Sequence, residues 1–299
     1  MRFALYLGCT VPIRTPNYEI SARKLAKKIG IEFIDIPEFT CCGFPVKPVS
    51  VNMAMLMATY NLALAEEKSL DICTLCSACT STLTEVVYKL NKDNGLKKKI
   101  NLQLEKIGKK YEGRIKVKHF ARILYEDVGI ERLKKFVKVP LNGFRFAAHY
   151  GCHYLKPSEI YDGFDNPERP VSLDKMIEIT GAQSVDYKEK NLCCGGGILG
   201  IDENIALKMA SEKLENIEGA DAMVLICPFC SVMYEANQRQ INKRFSSDIN
   251  LPVLFLPQIL GLSMGIPEEE MGFRFNKVKT KSLLEKLKHS DREKVIEKA

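Results

Sequence analysis

The chain opens on an apolar, β-prone run over residues 2–7 that stops at Gly8-Cys9. Apolar residues then recur at helical spacing over 17–29, with Ile20, Leu25, Ala26 and Ile29 on one face and Gly30 as the stop. A short strand is expected over 31–36, followed by a loop at Cys41-Cys42-Gly43-Phe44-Pro45, where Gly and Pro forbid regular structure. A helix over 52–68, a buried strand over 70–75 ending at Cys76, and a helix over 78–90 complete the first series. Residues 96–135 are Lys-rich and read as mostly helical, with no chemistry of their own.

Pro, Asn and Gly cluster at 139–143, and the same order of elements then begins again. A strand over 144–149 runs into Gly151-Cys152. It is followed by a helix over 173–180, a short strand, the loop Cys193-Cys194-Gly195-Gly196-Gly197, a helix over 204–217, a strand over 222–226, Cys227-Pro-Phe-Cys230, and a helix to about residue 242. Strands alternating with crossover helices predict an α/β fold of two pseudo-repeated, Rossmann-like βαβ halves with parallel sheets, 1–140 and 141–299. Ligands of such sheets collect beyond the carboxyl ends of the strands. One more strand over 253–256 and a helix over 257–264 precede a charged tail, which reads as a partner-docking segment or as a solvated end.

Composition is that of a globular protein: 299 residues, 46% hydrophobic and 27% charged. The net charge of +7 is dispersed, and its clusters at Lys97–Lys99, Lys109-Lys110 and Lys134-Lys135 fit solvated helix faces. No aromatic-interleaved basic strand or other nucleic-acid motif accompanies them. The most apolar helical stretch, 53–65, is shorter than the roughly 20 residues a bilayer demands, and no leader pattern is visible. A soluble, cytoplasmic protein without membrane insertion is expected. In that reducing setting 11 cysteines point to metal ligation or redox chemistry rather than to disulfides.

All but one of the cysteines fall into two sets, spaced C-x31-C-C-x33-C-x-x-C and C-x40-C-C-x32-C-x-x-C. A structural zinc site commonly takes two C-x-x-C knuckles, and neither set supplies two. Adjacent cysteines aim their sulfurs apart, which suits a polynuclear group better than one tetrahedral ion. Cys73-Thr-Leu-Cys76 is also a C-x-x-C. Registration against the second set, which brings Asp71 to Asp221 and Glu85 to Glu235 within one residue, leaves Cys73 as a buried strand thiol.

This doubled pattern resembles the cysteine-rich CCG family, in particular the B subunits of heterodisulfide reductases. The likeness extends to Leu-Tyr-Leu-Gly-Cys9-Thr, to the Cys42-Gly-Phe-Pro loop and to Leu256-Pro-Gln-Ile-Leu-Gly. The resemblance implies two noncubane [4Fe-4S] clusters, one on Cys9, Cys41, Cys42, Cys76 and Cys79, the other on Cys152, Cys193, Cys194, Cys227 and Cys230. It implies reductive cleavage of the coenzyme M–coenzyme B mixed disulfide between them. It also implies partners from the heterodisulfide reductase complex, one ferredoxin-like and one carrying flavin, with a hydrogenase or formate dehydrogenase module upstream. The chain has no ferredoxin or dinucleotide motif of its own and would borrow its electrons.

His153, beside Cys152, is the candidate proton donor, because histidine ordinarily titrates near neutrality; it serves equally as a hydrogen-bond partner of a sulfur. Lys156 and Lys47 are candidate cations for the substrate's sulfonate, phosphate and carboxylate groups. Gly195–Gly197 reads as a tight turn, with anion cradling as the alternative. His149 is expected to face the sheet. Rival readings are an enzyme acting on a thiol or persulfide in sulfur oxidation, and a non-catalytic electron-transfer subunit.

Overall fold

The computed structural model describes residues 1–296, with side chains through residue 288. Eight short strands form two four-stranded sheets. They are β1 (Arg2–Tyr6), β2 (Glu32–Ile34), β3 (Ile72–Thr74), β4 (Val117–His119), β5 (Arg145–His149), β6 (Gln183–Val185), β7 (Ala222–Leu225) and β8 (Val253–Phe255). The orders are β2-β1-β3-β4 and β6-β5-β7-β8, every pair is parallel, and the four strands of each sheet come from one side of residues 139–143. The expected α/β fold with doubled parallel sheets is therefore what the chain adopts.

Helices cover both faces of these sheets, so central strands read as continuous apolar runs: all of β3 and β7 is buried. The crossover helices also recur, Val51–Glu67 and Ser77–Lys92 in the first series, Glu203–Glu215 and Pro228–Ser231 in the second. Gly30 ends the helix Pro16–Ile29 in the left-handed conformation, as expected of a C-terminal stop.

One hydrophobic core runs through both series. The helix Pro16–Ile29 packs against the helix Leu256–Ser263, and Tyr18 stacks on Phe255 with ring centroids 4.0 Å apart. Two side chains from the first series donate to one carbonyl of the second, that of Ile226: Tyr18 Oη at 2.9 Å and His119 Nε2 at 3.0 Å. The His119 tautomer is settled by its other nitrogen, since Nδ1 accepts from the Ala121 N–H. Ile226 directly precedes Cys227, so this bond bears on the cysteine sets as well as on the fold.

The 96–135 stretch is mostly helical, as expected, and also contains β4, which lacks an apolar run and is a strand because β3 pairs with it. Two sequence expectations need correction. The helix after Cys227 is interrupted, passing from Pro228–Ser231 through a wide π-helical turn, Val232–Ala236, and resuming at Gln238–Phe245. The charged tail forms the helix Lys281–Ile296 and returns to the chain itself: Leu283 and Leu287 are buried and Lys286 Nζ reaches Asp221 Oδ1 at 2.7 Å. The last three residues of that tail lie outside the described residues. Among the described residues no helix is long and apolar enough to cross a membrane.

Burial pushes His119 down to about 4. An unfolded imidazole takes up its proton near pH 6.5, which the folded chain refuses until far lower pH, so stability is full above the unfolded value and falls as pH is lowered towards 4. Urea unfolding of the wild type is expected to lose about 2 kcal/mol between pH 7 and pH 5 from this group. His119→Gln should lack that part of the loss, and identical slopes in the two proteins would count against it.

Candidate metal centre

Each cysteine set is assembled at the carboxyl end of its sheet by three local devices. Two residues beyond β1 and β5 stand Gly8 and Gly151, both at positive φ, where the chain turns sharply into Cys9 and Cys152. A Cβ on Gly8 would stand 2.9 Å from Cys79 Sγ, so only glycine lets the strand end pass this close to the sulfur. The two cysteine pairs turn at Gly43 and Gly195, where a Cβ would meet the carbonyl oxygens of Ala54 and Ala206 at 2.7 and 2.8 Å. Each Cys-Cys-Gly turn is thereby pressed against the first turn of the helix after it. Cys76 and Cys227 cap the helices that follow β3 and β7, so Cys79 and Cys230 sit in first turns whose free amides favour thiolate and sulfide charge.

The sulfurs form a row of successive neighbours that act on one another's protonation: Cys41, Cys42, Cys79, Cys76, Cys227, Cys230, Cys194, Cys193, Cys152. The link between the halves is Cys76 to Cys227. Cys9 is exposed and stands at the outer end beside Cys41, with Thr10 Oγ1 at 3.7 Å from its sulfur. Cys73 lies apart in β3, fully buried, and burial alone pushes its thiol up.

Proton sharing along the row is uneven. Contact with Cys41 and then Cys79 holds Cys42 well below the usual thiol range, and contact with Cys152 and then Cys194 does the same to Cys193. Cys41 and Cys152 are pushed up by the same contacts. Such a run of soft, partly deprotonated donors fits an iron–sulfur group. Among the described residues no three His, Cys, Asp or Glu side chains are arranged to hold a single metal ion.

Beside the second set lies a cavity of about 60 Å³, lined by Cys152, Cys193, Cys194, Cys227 and Cys230 and, from the first half, by Phe44, Ser77 and Ala78. This is far below the ~300 Å³ of an ordinary ligand site, and it lies among the five sulfurs themselves, as space for a group that they hold would. Phe44 closes it, meeting the His153 ring edge-on at 5.1 Å and Phe229 at 6.0 Å. His153 Nδ1 is 3.0 Å from Cys152 Sγ. Ser77 Oγ is buried without a hydrogen-bond partner at the same cavity.

Lys47 is paired with Glu85 at 2.5 Å and Lys156 with Glu168 at 2.9 Å, and neither lines the cavity. His149, expected to face the sheet, instead brings Nε2 to 3.3 Å from Cys230 Sγ. Strand alternation could not reveal this, because His149 is the last residue of β5, where the backbone turns into Gly151. Lys213 was also missed: it is 2% exposed, and its Nζ donates to the Leu192 carbonyl at 2.7 Å. Its place among helix residues of the Lys-rich kind gave no signal.

Parallel sheets bearing a doubled thiol row define a cysteine-rich α/β protein of the iron–sulfur oxidoreductase class. The chain belongs to the CCG cysteine-rich domain family, whose model matches it twice, at residues 3–84 and 146–235. It is 35% identical to the B subunit of the ferredoxin/F420H2-dependent CoB-CoM heterodisulfide reductase of Methanosarcina acetivorans, covering 96% of this chain and 97% of that one. It is 33% identical to the 8-methylmenaquinol:fumarate reductase membrane anchor subunit of Wolinella succinogenes, over 92% and 96% of the two chains. The crystal structure of a hypothetical protein from Helicobacter pylori shares the fold, with a TM-score of 0.76 at 20% identity over 93% of this chain; the chain spans 52% of that protein. Both of these named relatives are subunits of reductases.

Gly43→Ala and Gly195→Ala are each expected to destabilise the chain by more than about 1 kcal/mol, since both need positive φ and the new methyl meets a backbone oxygen. Thermal unfolding checks this, with Gly197→Ala, where a Cβ meets nothing, as the tolerated comparison.

Proposed function

We propose that this chain is the catalytic subunit of a heterodisulfide reductase, acting on the coenzyme M–coenzyme B disulfide in the cytoplasm. The carrying observation is the Cys76–Cys227 contact, which joins both sets into one row beside the cavity closed by Phe44 and His153. Cys9, Cys41, Cys42, Cys76 and Cys79 would hold one noncubane [4Fe-4S] cluster, and Cys152, Cys193, Cys194, Cys227 and Cys230 the other. When bound, such a pair supplies two electrons and two thiophilic metal sites for the separated sulfurs.

The protein's own side chains do the rest. Phe44 and Phe229 line the space beside the second sulfur set and would shield it from water. His153 lines the same space with Nδ1 3.0 Å from Cys152 Sγ, and it is the side chain here that would protonate a departing thiolate. Ser77 Oγ offers a hydrogen bond to a sulfur or anion held there. Lys47 and Lys156 would reach substrate anions only by giving up Glu85 and Glu168, and neither lines the cavity. The halves 1–140 and 141–299 are each built around one set. Electrons would come from the ferredoxin-like and flavin-bearing partners of the heterodisulfide reductase complex, with a hydrogenase or formate dehydrogenase module further upstream.

The presence of a fumarate reductase component among the relatives favours a second reading, an electron-relaying subunit without a disulfide substrate. Turnover of the mixed disulfide by the anaerobically loaded chain, driven by a low-potential reductant, separates the two; no turnover, and no change of the iron–sulfur magnetic signals on adding disulfide, favours the relay. Cys193→Ala should lose the iron of the second set and keep that of the first. Cys73→Ser should lose none, and a halved iron content there would reassign Cys73 as a ligand. His153→Gln should keep all the iron and lower kcat about a hundredfold.

A further inference from the structure

The two sulfur sets share their backbone geometry but not their surroundings, and the differences fall at equivalent positions. When Cys42-Gly43 is laid on Cys194-Gly195, Asn61 of the helix Val51–Glu67 falls on Lys213 of the helix Glu203–Glu215. Both reach back to the main chain that enters the cysteine pair. Asn61 does so as a neutral amide, with Nδ2 donating to the Cys41 carbonyl at 3.2 Å and Oδ1 accepting from the Thr40 N–H at 2.8 Å. Lys213 does so as an ammonium, bonded to the Leu192 carbonyl rather than to a carboxylate. The charges that bear on it most are those of Cys230, Cys194 and Cys193.

A second asymmetry adds to the first. When Gly8-Cys9 is laid on Gly151-Cys152, Tyr6 falls on His149. The Tyr6 hydroxyl is spent on the Thr40 carbonyl, whereas His149 Nε2 faces the sulfur of Cys230 at 3.3 Å. A sulfur bound to metal carries no proton, so the imidazole must donate in that contact. Two features favour the first set instead: a Thr82 hydroxyl contacts Cys42 where the second half has Met233, and exposed Cys9 lets water screen that end. A neutral hydroxyl and partial solvation count for less than a whole positive charge buried in a medium of low dielectric. Lys47, after the first pair, is neutralised by Glu85 and adds no net charge.

We infer that Lys213, aided by His149, makes the second set the one with the higher reduction potential, so that an arriving electron settles first on the cluster held by Cys152, Cys193, Cys194, Cys227 and Cys230. Reduction adds negative charge, which a buried cation near the sulfurs and an imidazole donating to one of them stabilise more than they stabilise the oxidised form. Burial lowers Lys213 to about 8, which leaves it charged at neutral pH. Lys213 is thus a positioning and tuning residue that touches no reacting atom. The inference rests on the two-cluster reading proposed above.

Potentiometric titration followed by electron paramagnetic resonance tests it on anaerobically loaded chains. Cys42→Ala retains only the second set and Cys194→Ala only the first; the midpoint of the former is expected to be the higher. In the Cys42→Ala background Lys213→Gln, which keeps a donor but not the charge, should lower that midpoint by tenfold or more in the one-electron equilibrium constant, about 59 mV. Lys213→Arg should restore it. Equal or reversed midpoints in the two single-set chains overturn the inference, as does an unshifted midpoint in Lys213→Gln with its iron intact. If Lys213→Gln sheds its iron, the ordering of the single-set chains decides alone. Failure of the underlying reading is distinguishable: the wild type would then bind zinc, or only one set's worth of iron.

Discussion

The contact between Cys76 and Cys227 is the point on which the rest of the molecule turns. Each of these residues ends a central strand and caps the helix that follows, so each sulfur is held by backbone that cannot move without disturbing a sheet. Bringing the two together requires the sheets to present their carboxyl ends to one another. Tyr18 and His119 serve that purpose, because both bond to the carbonyl immediately before Cys227. Two donors on one buried acceptor leave that peptide little freedom, and the sulfur after it inherits the restriction.

Duplication explains the economy of the site. Positive-φ glycines recur before the first cysteine and after the pair, and equivalent alanine carbonyls, of Ala54 and Ala206, block a side chain at Gly43 and Gly195. The surroundings have nevertheless diverged. Asn61 against Lys213, Tyr6 against His149 and Thr82 against Met233 give two sulfur sets of one shape but different electrostatics. The cavity shows the same divergence, being walled by the second set and merely lidded by Phe44 and Ser77 of the first.

Much of this was legible in the residues. The strands ending at Cys9, Cys76, Cys152 and Cys227 were announced by short apolar runs halted at Gly or Cys, and the helix stop at Gly30 by its lack of a Cβ. The setting aside of Cys73 followed from register against the second half, and it lies within β3, buried. What was not legible involved residues whose partners are distant in sequence. Val117–His119 became β4 only because β3 offered an edge, and the His119 ring found its acceptor 107 residues away. Lys156 and Lys47 looked like free cations beside the cysteines until their carboxylates appeared.

Spacing and periodicity alone determined the repeat, the parallel class of sheet and the grouping of ten cysteines, because each depends on local preference: where a backbone can turn, which face is apolar, which residues stop a helix. Only the folded chain decided that the two groups form one row, that His149 turns to a sulfur and that an ammonium is buried beside one set and not the other. Those outcomes depend on distances between segments that the chain separates widely, and no local preference carries information about them.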